Sequence, residues 1–264
     1  MTEIADLISR LVAETRAANS DRPALIGVGG AQGSGKSYQC RAYAAAHTSI
    51  AHFSLDDVYF TRTEREDLAR EVHPLCITRG PPGTHDLDLA DRTIAALEQA
   101  DDDTRTSLPR FDKARDDRAP ESAWPAFVGR PDAILFDGWC VGAVAGKELG
   151  FDRPINTLEQ ENDGDGTWRC ATEYYLATDY ADFFAAFDAL IYLRAPSWEI
   201  VRAWRGQQEE ETLGRPLSPE ENLALDRFVM HYERITRAML AGHHMAGWIV
   251  HLDEKRNVVR VEQR

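Results

Sequence analysis

The sequence predicts an α/β fold, a mostly parallel sheet covered by helices on both faces, and three observations carry that prediction. Short apolar runs at residues 24–29, 50–55, 133–136 and 189–193 read as buried strands. Segments whose apolar residues recur at helical spacing separate them. A glycine-rich stretch joins the first run to a helix-compatible segment, residues 36–46.

Taken in chain order, Ile4, Leu7, Ile8, Leu11 and Val12 share one helical face, and the polar residues 19–22 with Pro23 end that helix in a turn. The first strand, the glycine-rich loop and the helix follow. The second strand ends at Asp56 and Asp57, after which Thr63 and Glu66 form a capping-box pattern. Residues 87–100 are helical, and Asp101, Asp102 and Asp103 break that helix as a solvated loop. Proline and charge fill 110–131 as an irregular segment. The third strand ends in Asp137, Gly164 and Gly166 mark a loop, and the aromatics of 168–187 lie at helical spacing as core. The fourth strand is bounded by Ala195 and Pro196, and residues 248–252 and 258–261 return to strand. We expect one domain over residues 1–264, with a mobile helical lid around 197–240 and no internal repeat.

Composition narrows the function classes. With 264 residues and 43% apolar content, the chain can bury a full core. The longest apolar candidate for a membrane span, 133–146, is interrupted by Asp137 and falls short of the roughly 18 to 20 residues a bilayer needs. Neither a span nor an export leader is expected, so the expected location is cytoplasmic. Cys40, Cys76, Cys140 and Cys170 lie thirty or more residues apart and read as reduced thiols. A net charge of −14 argues against nucleic-acid binding, so any anionic ligand must be held by a local positive site. Against 26 arginines there are four lysines, which makes the positions of Lys36 and Lys113 informative.

Gly30, Ala31, Gln32, Gly33, Ser34, Gly35, Lys36 and Ser37 satisfy G-x-x-x-x-G-K-[ST] between a predicted strand and a predicted helix. Such a loop curls its backbone N–H groups inward onto phosphate oxygens, and the helix N-terminus adds partial positive charge. Lys36 then reaches the β- and γ-phosphates of ATP, and the Ser37 hydroxyl completes a Mg²⁺ shell. This makes the expected architecture a P-loop NTPase fold. Phosphoryl transfer also needs a proton acceptor and a metal-organising acid, and both are sought at strand ends, where open α/β sheets bind ligands. Asp56 is the favoured base over Asp57, whose side chain points away if the strand continues; alternatively, Asp56 is a turn carboxylate. Asp137 is placed to hold Mg²⁺ through water. Arg110, Lys113, Arg115 and Arg118 form either an anion site or a loop salt-bridged to Asp112, Asp116 and Asp117. Arg202 and Arg205 share a helix face, either as a lid over the phosphates or as surface pairs, with Glu209 correctly spaced from Arg205. His243 and His244 read as exposed.

Together these motifs resemble a known family. The ordered set of residues 30–37, Ser54-Leu55-Asp56-Asp57-Val58-Tyr59, Arg79-Gly80-Pro81-Pro82-Gly83-Thr84-His85-Asp86, Leu108-Pro109-Arg110-Phe111-Asp112-Lys113 and Phe136-Asp137-Gly138-Trp139 resembles the D-glycerate 3-kinases of plants, fungi and bacteria. These sit in a P-loop group with uridine kinase, phosphoribulokinase and pantothenate kinase. The resemblance implies Asp56 as catalytic base and an acceptor pocket shaped by Tyr59, Arg79, Thr84 and His85. It implies that Arg110 and Lys113 face substrate or phosphate, that Arg202 and Arg205 belong to the lid, and that Asn257 lies beside the adenine. Where the family often has glutamate before the Gly-Trp pair, this chain has the shorter Asp137, an arm that reaches metal through one more water. The implied activity is Mg²⁺-ATP-dependent phosphorylation of a small hydroxy acid, D-glycerate first. The rivals are a uridine, pantothenate or other small-metabolite kinase, and a nucleotide-gated switch protein. The expected partner is a small-molecule acceptor, with no nucleic acid and no membrane; the oligomeric state is open.

Overall fold

The computed structural model describes residues 3–146 and 150–264. Helix α1 (Glu3–Ala18) buries Ile4, Leu7, Ile8 and Leu11 and leads into β1 (Ala24–Gly30), α2 (Lys36–Ala46) and β2 (Ile50–Ser54). The chain continues through α3 (Arg62–Glu71) and α4 (Leu87–Glu98). Four short strands follow, β3 (Arg105–Ser107), β4 (Phe111–Asp112), β5 (Asp117–Arg118) and β6 (Ala126–Val128). Next come β7 (Ala133–Gly138), α5 (Thr157–Asn162), α6 (Thr167–Ala177), α7 (Asp179–Ala185) and β8 (Ala189–Arg194). The long helices α8 (Trp198–Leu213) and α9 (Pro219–Leu240) precede β9 (Trp248–Leu252) and β10 (Val258–Gln263).

The main sheet has the order β10-β9-β8-β1-β7-β2, parallel throughout except for β10. Both faces are covered. Leu25, Phe53, Ile134, Phe136 and Tyr192 point to a core closed by α4, α7 and α9, while Ile26, Val28, Leu135, Ile191 and Val250 point to one closed by α1, α2 and α8. This is why the strands read as unbroken apolar runs and not as alternating ones.

Several boundaries differ from the sequence reading for local reasons. The second strand stops at Ser54, whose side chain caps a 3₁₀ turn over Leu55–Val58 by accepting the Asp56 N–H. The capping box of α3 uses Thr61 and Glu64, two residues before the expected pair, which leaves Thr63 and Glu66 inside the helix. Residues 110–131 hold the antiparallel pair β4 and β5 and the strand β6, which pairs antiparallel with β3 just upstream. His244 is buried, its ring 4.6 Å from that of Tyr192, contrary to the exposed reading. All four cysteines are free thiols, three of them buried. Among the described residues, no helix is long and apolar enough to cross a membrane.

One buried ion pair ties the region after β7 to α9. Arg234 Nε and Nη2 donate to the Glu159 carboxylate at 2.9 and 2.5 Å, and both side chains are almost wholly buried. The same guanidinium donates to the Gly150 and Arg153 carbonyls. Removing one partner strands a buried charge, so Arg234→Met is expected to destabilise the fold by about 3 to 5 kcal/mol, measured as a fall in the urea midpoint.

Candidate active site

Insertion of β7 between β1 and β2 builds the site. In register, Asp137 stands level with Val28 on one side and with Ser54 on the other, so its carboxylate lies directly under the loop that leaves β1. Ser37, the second residue of α2, donates its hydroxyl to Asp137 Oδ2 at 2.5 Å. His52 Nε2 lies 2.7 Å from Oδ1, and the Ser54 hydroxyl donates to the Asp137 carbonyl at 2.9 Å. His52 and Ser54 share one strand face, so one side of β2 clamps an acid that is itself fully buried.

The loop over residues 30–37 is held from outside. Gly33 has φ +76°, and a Cβ there would stand 2.5 Å from Cβ of Trp204 on α8, so only glycine fits. Arg256 donates to the Gly33 carbonyl at 2.5 Å and lies over the Trp204 ring at 4.9 Å. Ser34 Oγ and Gln32 Oε1 are buried without a hydrogen-bond partner.

Asp56 and Asp57 lie at the same sheet edge, because the chain turns into 3₁₀ geometry and does not continue as a strand. Asp56 accepts the Tyr59 hydroxyl at 2.7 Å and the Lys113 ammonium at 2.6 Å. Burial pushes its carboxyl upward, but Lys113 and Lys36 outweigh that and hold it well below the usual carboxylate range. Asp57 is occupied elsewhere, accepting the Ser54 N–H at 2.9 Å and Arg110 at 2.8 Å. Burial lifts Asp57 to about 6 against the pull of Arg110.

Around Asp56 stand the other expected acceptor residues. Arg79 pairs with Asp116 and lies 5.6 Å over the Phe111 ring, while Tyr232 donates to the Arg79 carbonyl at 2.8 Å. The Thr84 hydroxyl donates to the Pro81 carbonyl and accepts the Gly80 N–H, so it staples its own loop. His85 stacks on Tyr59 at 4.7 Å. The cations of 110–118 pair outside their own segment, Arg110 with Asp57, Lys113 with Asp56 and Arg118 with Asp86, and not with Asp112, Asp116 or Asp117 as the salt-bridged alternative had it.

The two arginines expected in a lid divide. Arg202 binds Asp226 and Asn222 on α9 at 2.5 and 3.1 Å, joining the two long helices. Arg205 pairs with Glu209 and stands over Phe228, close enough for its charge to act on the Tyr232 hydroxyl beside Asp56. Asn257 closes a turn by donating to Asp253 at 2.8 Å, and its neighbour Arg256 is the residue that touches the phosphate loop. His52, Trp204 and Arg256 were missed by the sequence reading, while Arg118, which it singled out, donates to the Tyr59 carbonyl and to Asp86. Only His52 had a signal, its shared strand face with Ser54.

Comparison with known proteins agrees with the fold. No protein-family model matches the chain. The uncharacterized kinase mug58 of Schizosaccharomyces pombe is 32% identical over 223 residues, covering 80% of this chain and 79% of that protein. The chloroplastic D-glycerate 3-kinase of Arabidopsis thaliana is 34% identical over 132 residues, 46% of this chain and 29% of that protein. The solved structure of D-glycerate 3-kinase from Cryptococcus neoformans superposes over all of both chains with a TM-score of 0.79 at 22% identity, which shows a shared fold. With a third of its residues identical to another kinase over four-fifths of its length, and with a phosphate loop and its buried acid in place, this chain belongs to the family of P-loop kinases that contains the fission-yeast kinase and the D-glycerate 3-kinases.

Proposed function

We propose that this kinase transfers the γ-phosphoryl group of Mg²⁺-ATP to a hydroxyl of a small hydroxy acid, with D-glycerate the first candidate and its 3-hydroxyl the acceptor. One observation carries the reading: Asp56 pairs with Lys113 and lies in the field of Lys36 from the phosphate loop, with Arg110 on the neighbouring Asp57 and Arg79 acting on the Tyr59 that bonds to it. A carboxylate base surrounded by positive charge suits an acceptor that is itself an anion. The names of the Arabidopsis and Cryptococcus relatives support D-glycerate in particular.

The residues fit the nucleotide. Buried polar atoms of Gln32 and Ser34 lack partners inside the loop, and the oxygens of Ser37 and Asp137 converge as a hard cation requires. Ser37 and Asp137 would hold Mg²⁺, and Lys36 with the loop N–H groups would hold the phosphates. Bound Mg²⁺-ATP supplies the transferable phosphoryl group. Lys36 stabilises charge on that group, and Asp56 orients the acceptor hydroxyl and takes its proton. Lys113 suppresses the basicity of Asp56. An acceptor carboxylate that draws Lys113 away raises that basicity, which couples acceptor binding to activation of the base.

An ADP-release assay over a panel of hydroxyl compounds tests the reading. Stimulation by D-glycerate alone supports it; stimulation by uridine or pantothenate instead assigns a different acceptor, and tight ATP binding with no stimulating acceptor assigns a switch protein. The clamp on Asp137 gives a second check. His52→Ala is expected to raise the Mg²⁺ needed for half-maximal turnover by about 10- to 100-fold, with a parallel loss in the heat of Mg²⁺-ATP binding. His52→Gln, whose amide still reaches Asp137 as a donor, is expected to keep most of both.

A further inference from the structure

A cavity of about 230 Å³ opens where the C-terminal end of α9 meets β8, β9 and β10. Arg194, Arg260, Arg264, His244, His251 and Glu262 line it, together with Ile249 and the turn over 240–242. None of the residues placed at the phosphate loop, at Asp56 or at Asp137 is among its lining. Charge is out of balance there. The lining holds three guanidinium groups against one carboxylate, in a chain whose 44 acids outnumber its 30 lysines and arginines.

That one carboxylate is shared, since Glu262 Oε2 lies 3.0 Å from both Arg260 Nη2 and His251 Nε2. The other two arginines reach only carbonyls. Arg194 donates Nε and Nη2 to the Leu240 carbonyl at 3.2 and 2.9 Å, and Arg264 donates Nη1 to the Gly242 carbonyl at 3.3 Å. Gly242 has φ +102°, and a Cβ there would stand 3.2 Å from Arg264 Nη2, so a glycine lets that guanidinium lie close. Capping the end of α9 is task enough for one cation, but carbonyls carry no net charge, and each guanidinium has five N–H donors. The field of these arginines is felt at His244, which is 7% exposed and whose Nδ1 accepts the Ala246 N–H at 3.3 Å. Burial first, then Arg264 and Arg194, push its pKa down to about 4. The ring is therefore neutral and carries its hydrogen on Nε2, which has no partner among the described residues.

We propose that this cavity is an anion site separate from the phosphate loop, and that it takes the phosphate group of a small phosphomonoester between Arg194, Arg260 and Arg264. Guanidinium groups brought together from β8, β10 and the residue after β10 suit a phosphate, which offers three strong acceptor oxygens and close to two negative charges. The volume falls below the roughly 300 Å³ at which pockets for drug-sized ligands begin, which selects a small ester over a nucleotide. The product of the proposed reaction belongs to this chemical class, but the site stands on its own lining and not on that reading.

The test titrates glycerol 3-phosphate into the full chain and follows the His244 and His251 ring signals by NMR. The phosphate loop is filled beforehand with Mg²⁺ and a non-hydrolysable ATP analogue, and glycerol and inorganic phosphate serve as controls. A saturable shift of the His244 ring is expected with glycerol 3-phosphate and none with glycerol. Arg260→Glu, a charge reversal at an exposed side chain, is expected to weaken that binding by about tenfold or more, with the melting temperature and its rise on adding ATP little changed. If that variant does not fold, Arg264→Glu takes its place with the same expectation. Absence of a saturable shift, or binding that the charge reversal leaves unchanged, overturns the site. An equal response to glycerol overturns its anionic character, and binding of inorganic phosphate without glycerol 3-phosphate overturns the assignment to an ester.

Discussion

Asp56→Asn is expected to lower kcat by about 10² to 10⁴ while ATP still raises the melting temperature. Asparagine matches the carboxylate in shape and still accepts the Tyr59 hydroxyl, so the 3₁₀ turn that Ser54 caps is kept. The variant loses the charge that meets Lys113 and the capacity to receive a proton. The loss therefore falls on the chemical step, and steady-state turnover with a thermal melt in the same buffer separates it from unfolding. Wild-type turnover in this variant would remove Asp56 as the base. Asp57 then becomes no better a candidate, since Arg110 and the Ser54 N–H already occupy its carboxylate.

Lys36→Met is expected to cost about 10² to 10³ in kcat, the loss seen when one preorganised charge donor is removed from a transition state. Unlike the Asp56 variant, it is also expected to weaken ATP protection in the melt, because the proposed role of Lys36 is to hold the donor phosphates and that of Asp56 is not. A second consequence is electrostatic. Lys36 is one of the two lysines that hold Asp56 low, so its removal moves the Asp56 titration upward. A pH profile whose acidic limb shifts to higher pH in Lys36→Met, with turnover reduced, matches both roles. Unreduced turnover would take Lys36 out of the phosphate site.

Legibility followed locality. Helix α2 begins at Lys36 and ends at Ala46, as its sequence predicts, because the preceding glycines and its own periodicity lie within a dozen residues. The Arg79–Asp86 segment was singled out by the family resemblance and Arg110 and Lys113 already by their charge, and the structure brings both segments near Asp56. The orientation of Asp57 was misjudged because the reading assumed that β2 continued, and a single side-chain cap at Ser54 decided otherwise. His244 looked exposed in a polar pair, and its burial against Tyr192 comes from packing that no neighbouring residue announces.

By itself the sequence determined the strand-loop-helix that holds phosphate, since glycine conformations, a helix start and the Lys-Ser pair are properties of one short stretch of chain. It also determined that buried parallel strands carry acids at their ends. Only the tertiary structure decided what those acids touch. The sheet order sets β7 beside both β1 and β2, which delivers Asp137 to Ser37 and His52 from residues 100 and 85 positions away. Lys113 reaches Asp56 across 57 positions, and Arg256 reaches Gly33 across 223. Hydrogen bonds between such distant residues depend on strand order and register, which are set by the closing of two cores over the whole chain and leave no mark in any local window.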